Sequence, residues 1–333
     1  MSAFASIPSP PTNGFHIGPL FFHAYGICYV FAVIAAIAIS RRRWARVGGD
    51  PELIYEIAMW AFPAGLVGGR IYFLITTPSQ VPPHWWGPFA IWTGGLGIWG
   101  GVAAGAGVGW WRAAKHLGRD DRLRLMEAVA PGLLVAQAIG RIGNYFNQEL
   151  FGAPSSLPWA LQISRAHRVA ELAPKYWRYS TFEPTFLYEL IWNLCLAAFL
   201  VWLGNRRRVR VRAPGLFALY VAGYSGFRIF EETQRIDYSV YILGMRLNFF
   251  IASILCLLAL AWFVAIQRGW HGWGTEPAEP VPDSVRAAGP TRGVGLPRAA
   301  AATTAGGAPG SGPRAGGSGA ARPAAPGRRQ RRR

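Results

Sequence analysis

Seven apolar runs, each long enough to cross a bilayer, constrain this chain more than any other feature. They lie at about 18–39, 51–75, 91–111, 125–146, 182–203, 214–230 and 247–266. A hydrocarbon core about 30 Å thick takes roughly 20 helical residues at about 1.5 Å of rise each. Backbone N–H and C=O groups find no water there, so a spanning segment must satisfy them internally, as a helix does. Only 15% of the 333 residues are charged, against about 25% in soluble domains. The expectation is an all-α polytopic membrane protein with seven transmembrane helices.

The arginines orient it. Runs at Arg41-Arg42-Arg43-Trp44-Ala45-Arg46, within 112–124 and at Arg206 to Arg212 follow or precede alternate spans, while the loop 76–90 has neither Lys nor Arg. Basic loops stay on the cytoplasmic side, which puts the N-terminus outside and the C-terminus in the cytoplasm. The first span has no basic segment before it, so it reads as an uncleaved helix, not a signal peptide. The net charge of +18 follows from these loops and from the tail, and nucleic acid is not an expected partner. Residues 1–17 form an outer N-terminal segment, and 18–267 the membrane domain. Within that domain, 148–182 is an outer segment of a size that suits a small soluble subdomain. From 268 to 333 the composition shifts to Ala, Gly, Pro and Arg, which cannot bury a core and predicts a disordered basic cytoplasmic tail. Cys28, Cys195 and Cys256 fall inside apolar runs and read as small core hydrophobes. The six histidines form no ligand cluster, so neither metal nor cofactor is expected.

Against this apolar background one stretch stands out, Gly140-Arg141-Ile142-Gly143-Asn144-Tyr145-Phe146-Asn147-Gln148-Glu149-Leu150-Phe151-Gly152. Gln137, Arg141, Asn144 and Gln148 fall on one helical face. An arginine at the centre of a membrane helix costs about 2.5–3.5 kcal/mol, which marks it as a functional candidate. A merely snorkelling arginine has no need of an amide-lined face. On the sixth span Tyr224, Arg228, Glu232 and Arg235 share a face. At about 1.5 Å per residue, Arg141 and Arg228 lie roughly 24 and 21 Å from the cytoplasmic ends of their spans. Arg70, Tyr25, Tyr188 and Glu189 fall in the same outer half, and one cavity facing the outer leaflet accounts for all of them. Two arginines at one depth exceed what two glutamates need. The surplus calls for an anion, and a guanidinium fork suits the phosphate of a lipid headgroup.

These residues resemble the signature of the bacterial prolipoprotein diacylglyceryl transferase family, G-R-x-G-N-F-x-N-x-E-x-x-G. Tyr25-Gly26, Gly68-Gly69-Arg70, Trp92-Thr93-Gly94-Gly95-Leu96, Pro184 through Tyr188-Glu189, and Gly223-Tyr224-Ser225-Gly226-Phe227-Arg228 resemble its other blocks in order, over about residues 16–267. The resemblance implies a seven-span enzyme of the bacterial cytoplasmic membrane. Such an enzyme moves the diacylglyceryl group of phosphatidylglycerol onto the lipobox cysteine of a preprolipoprotein signal peptide, leaving a thioether and glycerol phosphate. It further implies catalytic roles for Arg141, Arg228, Asn144, Glu149, Tyr25 and Tyr224. The phosphatidylglycerol-binding set is Arg141, Arg228, Arg70, Gly152 and Glu232. Two departures stand out: Trp99-Gly100-Gly101 where many members read His-Gly-Gly, and Glu183-Pro184 where many read His-Pro. The histidine of the first motif has been proposed as a general base, so Trp99 leaves the identity of any base open. The rival class is an intramembrane anion or lipid-headgroup transporter. Such a path needs polar residues through both halves of the membrane, and the inner halves of these spans are almost wholly apolar.

Overall fold

A computed structural model describes residues 6–91, 94–206, 209–237 and 239–281. Trp92 and Thr93 of the third resembling block, Arg207 and Arg208 of the basic run, and residues 282–333 of the expected tail lie outside the described residues.

The apolar runs form helices: α1 (Ala24–Arg46), α2 (Glu52–Thr76), α3 (Ile98–Ala114), α4 (Arg119–Asn147), α6 (Thr185–Asn205), α7 (Gly215–Gln234) and α8 (Leu247–Gln267), with a short α5 (Arg165–Glu171) between α4 and α6. Five of them, α1, α2, α4, α6 and α8, are long and apolar enough to cross a membrane. By the same measure α3 is too short at 17 residues, and α7 carries Arg228, Glu231 and Glu232 within its 20.

Helix boundaries depart from the apolar runs where local chemistry intervenes. Residues before α1 turn back as a hairpin, β1 (Gly14–Ile17) with β2 (Leu20–His23), so the helix starts at Ala24 and not at 18. The third helix starts at Ile98, because Gly94 and Gly95 take φ of +89° and +78°, a left-handed conformation that no helix continues. Along the seam between α2 and α3, a side chain on Gly68 or Gly100 would collide with backbone of the other helix. The glycines expected to allow close helix approach do so here.

Helices pair α2 with α3, α1 with α4, α4 with α6, and α7 with both α6 and α8. Three apolar clusters hold them. One, built on Leu134, Leu196, Leu200 and Leu216, fills the middle of the α4–α6–α7 interface. A second, around Trp44, Ile54 and Leu125, closes the end of the bundle where α1 finishes. The third lies under residues 148–182, which fold into a cap: Phe151, Leu161, Ile163, Leu172 and Phe182 are all nearly inaccessible. A strand pair, β3 (Leu161–Gln162) with β4 (Thr181–Phe182), staples that cap, and β5 (Tyr241–Ile242) pairs with β6 (Met245–Arg246) before α8. The described chain is thus mostly helical, with three two-stranded pairs added to the all-α expectation.

The chain does not leave the fold at 268. Thr275 bridges to Ala213, Arg124 donates to the Glu276 carbonyl at 3.0 Å, and the Val281 N–H reaches the Arg46 carbonyl at 2.9 Å. Of the cysteines, Cys28 and Cys256 are half-buried, whereas Cys195 is exposed on α6 and is not a core residue.

Candidate active site

The end of α4 sets the geometry. Its last helical residue is Asn147, and Gln148 takes the left-handed conformation (φ 52°, ψ 46°) that ends the helix. Gln148 therefore leaves the face expected for it. Its amide instead ties the cap down, accepting from the Ser164 N–H at 2.8 Å and donating to the Pro10 carbonyl. Turning the chain at Gln148 brings Glu149 back onto the helix. The Asn144 amide donates to Glu149 Oε1 at 2.7 Å, and Asn147 donates to the same oxygen at 3.3 Å. Asn144 also accepts from Arg141 Nη1 at 3.2 Å. Tyr25 of α1 packs over Gly143, where any side chain would strike its ring, and its hydroxyl interacts with Asn144. The sequence pattern placed these four residues together, and they are together.

Facing them is a buried charge cluster on α6 and α7. Glu189, fully inaccessible, lies 2.7 Å from Arg141 Nη2 and 3.3 Å from Arg228 Nη1, so one carboxylate holds both guanidinium groups. Arg228 also reaches Glu231 and Glu232, each at 2.5 Å. Tyr224 hydrogen-bonds Glu189 from one turn away on α7. Behind Arg228, Arg246 Nε meets Glu232 Oε2 at 2.6 Å, and Arg235 and Arg246 share Asp237. Burial opposes charge on Asp237, but hydrogen bonds from Arg235 and the charges of both arginines hold its carboxyl below the usual range.

This overturns the expected surplus of arginine. Among the described residues the cluster holds Arg141, Arg228, Arg235 and Arg246 against Glu189, Glu231, Glu232 and Asp237, so every guanidinium has a carboxyl group to meet. What remains unspoken for is donors. A guanidinium has five N–H groups, and Arg141 engages two, with Nη1 to Asn144 and Nη2 to Glu189. Its Nε is buried without a hydrogen-bond partner. The arrangement presents oriented N–H groups on guanidiniums held in place from behind.

Three of the expected lipid-binding residues are engaged within the protein. Arg70 donates to the carbonyls of Gly87, Pro88, Gly94 and Gly95 at 2.7–2.9 Å, which uses four of its five N–H groups on the loop before α3. Gly152 is a packing position: a Cβ there would sit 2.9 Å from Glu183 and Thr185, and its N–H donates to the Glu183 carbonyl. Glu232 pairs with Arg228 and Arg246. Trp99 lies half-exposed in the first turn of α3. Glu231, Asp237 and Arg246 went unnoticed in the sequence. Their signal was a doublet of acids and three flanking charges beside an apolar run, legible as unusual but not as paired.

A family model for prolipoprotein diacylglyceryl transferase matches residues 13–265. The chain is similar to the phosphatidylglycerol–prolipoprotein diacylglyceryl transferase of Bifidobacterium adolescentis, 41% identical over 274 residues that cover 79% of this chain and 81% of that one. It is 44% identical to the protein of that name from Frankia alni, over 80% of this chain and 68% of the relative. With that of Mycobacteroides abscessus it shares 41% identity over 80% of each.

Proposed function

This chain belongs to the prolipoprotein diacylglyceryl transferase family, and on that premise we propose how it performs the reaction. It is a membrane transferase that moves the diacylglyceryl group of phosphatidylglycerol onto prolipoproteins. All seven long helices cross the bacterial cytoplasmic membrane, with the N-terminus outside, the C-terminus inside and the Arg141 end toward the outer leaflet. Arginines concentrated at the other helix ends support this orientation. The acceptor is the lipobox cysteine of a signal peptide.

In the proposed step the cysteine sulfur attacks the glycerol carbon that carries the phosphate ester. The C–S bond forms as the C–O bond breaks, and the electron pair leaves with glycerol phosphate. Negative charge grows on the phosphate oxygens, where Arg141 and Arg228 direct their N–H donors. Because each arginine already faces a carboxyl group, the benefit comes from preorganised donors. A thiol whose ordinary pKa is about 8.5 is mostly protonated at neutral pH, so a proton acceptor is needed. Glu149 suits that task. Asn144 and Asn147 fix its Oε1, and among the described residues Oε2 accepts no hydrogen bond. The thiol proton passes to Glu149 and then to the departing phosphate. Tyr25 and Tyr224 orient the headgroup and the peptide, Asn144 positions Arg141 and Glu149, and Glu232 positions Arg228. Arg70 and Gly152 shape the wall of the site.

The observation that carries this reading is Glu189 holding Arg141 and Arg228 together with donors left over. A transporter is less well supported, because the layer of Leu134, Leu196, Leu200 and Leu216 closes the interface beyond Gln137 and Tyr220. The test is thiol alkylation of a lipobox peptide by purified protein supplied with phosphatidylglycerol. Glu149→Gln should lose about 10²–10⁴-fold in turnover, the range of general-base assistance, and the loss should shrink as pH rises toward the thiol pKa. A pH-independent loss would remove Glu149 from the proton transfer.

A further inference from the structure

At the end of the bundle opposite Arg141 there is a cavity of about 610 Å³, walled by the end of α1, the start of α4, the end of α6, the start of α7 and the segment 276–280. Arginines at this end are expected from membrane orientation alone, and exposure to water is all that such a role requires. Three features go beyond it.

The first is the state of Arg43. Its Nε is shut off from solvent and has no hydrogen-bond partner, and among the described residues it makes no ion pair. Glu127 acts on it electrostatically from α4 without a direct ion pair, while its Oε1 accepts the Leu216 N–H at 3.1 Å. The second feature is the charge on the wall. Arg124 is matched by Asp121 at 3.0 Å and Arg210 by Glu279 at 3.6 Å. Arg43, Arg46 and Arg206 have no such match among the described residues, and all three line the cavity. Arg206 lies over Trp202, with its guanidinium carbon 4.1 Å from the ring centroid. The third is the remainder of the wall, where Ala128, Leu203 and Leu216 are apolar. Counted over the whole wall, five arginines (Arg43, Arg46, Arg124, Arg206, Arg210) face three glutamates (Glu127, Glu276, Glu279), an excess of cations that the α4–α6–α7 cluster does not have.

We propose that this cavity is a second anion site, built for a phosphate group and separate from the reaction centre. A phosphate oxygen set satisfies several guanidinium donors at once, and the apolar wall accepts the glycerol and first acyl carbons of a phospholipid. The occupant is therefore a phosphate-bearing anion, drawn either from lipid headgroups of the adjacent leaflet or from free phosphate. Segment 276–280 forms one wall, so occupancy would fasten the end of the described chain to α1 and α6.

Purified full-length protein in detergent provides the test, with unfolding temperature and native mass spectrometry as readouts. The probes are dioleoyl phosphatidate in micelles, which is not the diacylglyceryl donor, and inorganic phosphate at matched ionic strength with chloride as control. The wild type should be stabilised by phosphate beyond chloride and should retain one phosphatidate. Binding should weaken at least tenfold in Arg43→Gln and in Arg206→Gln, while turnover on the lipobox peptide stays within about twofold. Ala278→Trp, which fills the cavity from segment 276–280 and removes no charge, should do the same, so the question stays answerable if Arg43→Gln fails to fold. Phosphatidate binding at least tenfold tighter than phosphate assigns the site to lipid; equal affinity assigns it to free phosphate. If neither probe binds the wild type beyond the chloride control, or if all three variants bind as the wild type does, the proposal is overturned.

Discussion

The α2–α3 pair and the α4–α6–α7 cluster each bury an arginine, and they differ in what receives it. Arg70 is wrapped by four backbone carbonyls. Arg141 is held by the Glu189 carboxylate, and Arg228 by those of Glu231, Glu232 and Glu189. Carbonyls surround a guanidinium and use it up as a brace for a loop. Carboxylates neutralise its charge through few contacts and leave N–H donors for something else. Burial and position along the chain do not distinguish these outcomes, because the identity of the acceptor does.

The largest expected effects separate the two regions directly. Arg141→Gln and Arg228→Gln should each lose at least about a hundredfold in turnover on a lipobox peptide, the scale of a removed oxyanion donor. Their stabilities should diverge. Arg228→Gln leaves buried Glu231 without a cation, a loss on the order of 3–5 kcal/mol, while Glu232 keeps Arg246 and Glu189 keeps Arg141; Arg141→Gln leaves Glu189 with Arg228. Turnover per folded molecule and thermal unfolding, measured on both, sort these effects. Activity within tenfold for Arg141→Gln would erase the distinction drawn here.

Arg70→Gln should invert the pattern. Hydrogen bonds from a charged donor are worth about 1.5–3 kcal/mol each, and four are lost, so unfolding should come markedly earlier while turnover per folded molecule stays within about tenfold. A collapse in turnover at unchanged unfolding temperature would make Arg70 a substrate contact after all.

A smaller effect tests the pairing of Asp237 with Arg235 and Arg246 through pH. The Asp237 carboxyl is held below its ordinary range, so its contribution to stability is fully present above the unfolded value near pH 4. That contribution drains away as pH falls further, through the lower folded value. Asp237→Asn should be less stable than wild type at pH 7, and the gap should close in acid. A gap that stays constant from pH 7 down to pH 3 would mean that the ion pairs with Arg235 and Arg246 contribute nothing.

The smallest effect is expected at Trp99. An indole accepts no proton at neutral pH and the residue is half-exposed on α3, so Trp99→Phe should retain turnover within about tenfold. Inactivity matching that of the arginine variants would give the indole a chemical task and bring the α2–α3 region into the reaction.

Much of this was legible in the residues. Helices followed from apolar length, and Arg141, Asn144, Glu149 and Tyr25 followed from polar groups where lipid solvent penalises them. What escaped was pairing. Arg70 bonds to carbonyls, which every residue has, so no side-chain pattern announces its role. Gln148 leaves its helical face through a single left-handed residue, a local choice invisible to periodicity. The balance of charge depended on Arg246 and Asp237 folding back onto Glu232, and counting only acids on the same helix made arginine seem in excess.

The leucine layer between Gln137 and the opposite end of the bundle has a consequence for the cell's electrical economy. Each 100 mV across a membrane is worth about 2.3 kcal/mol per elementary charge, and a reaction chamber cut partway through that barrier shortens the insulating distance. In the α4–α6–α7 interface the insulation rests on Leu134, Leu196, Leu200 and Leu216, two of which have no accessible surface at all. In the proposed orientation these side chains let ionised groups sit at membrane depth without opening a leak for protons.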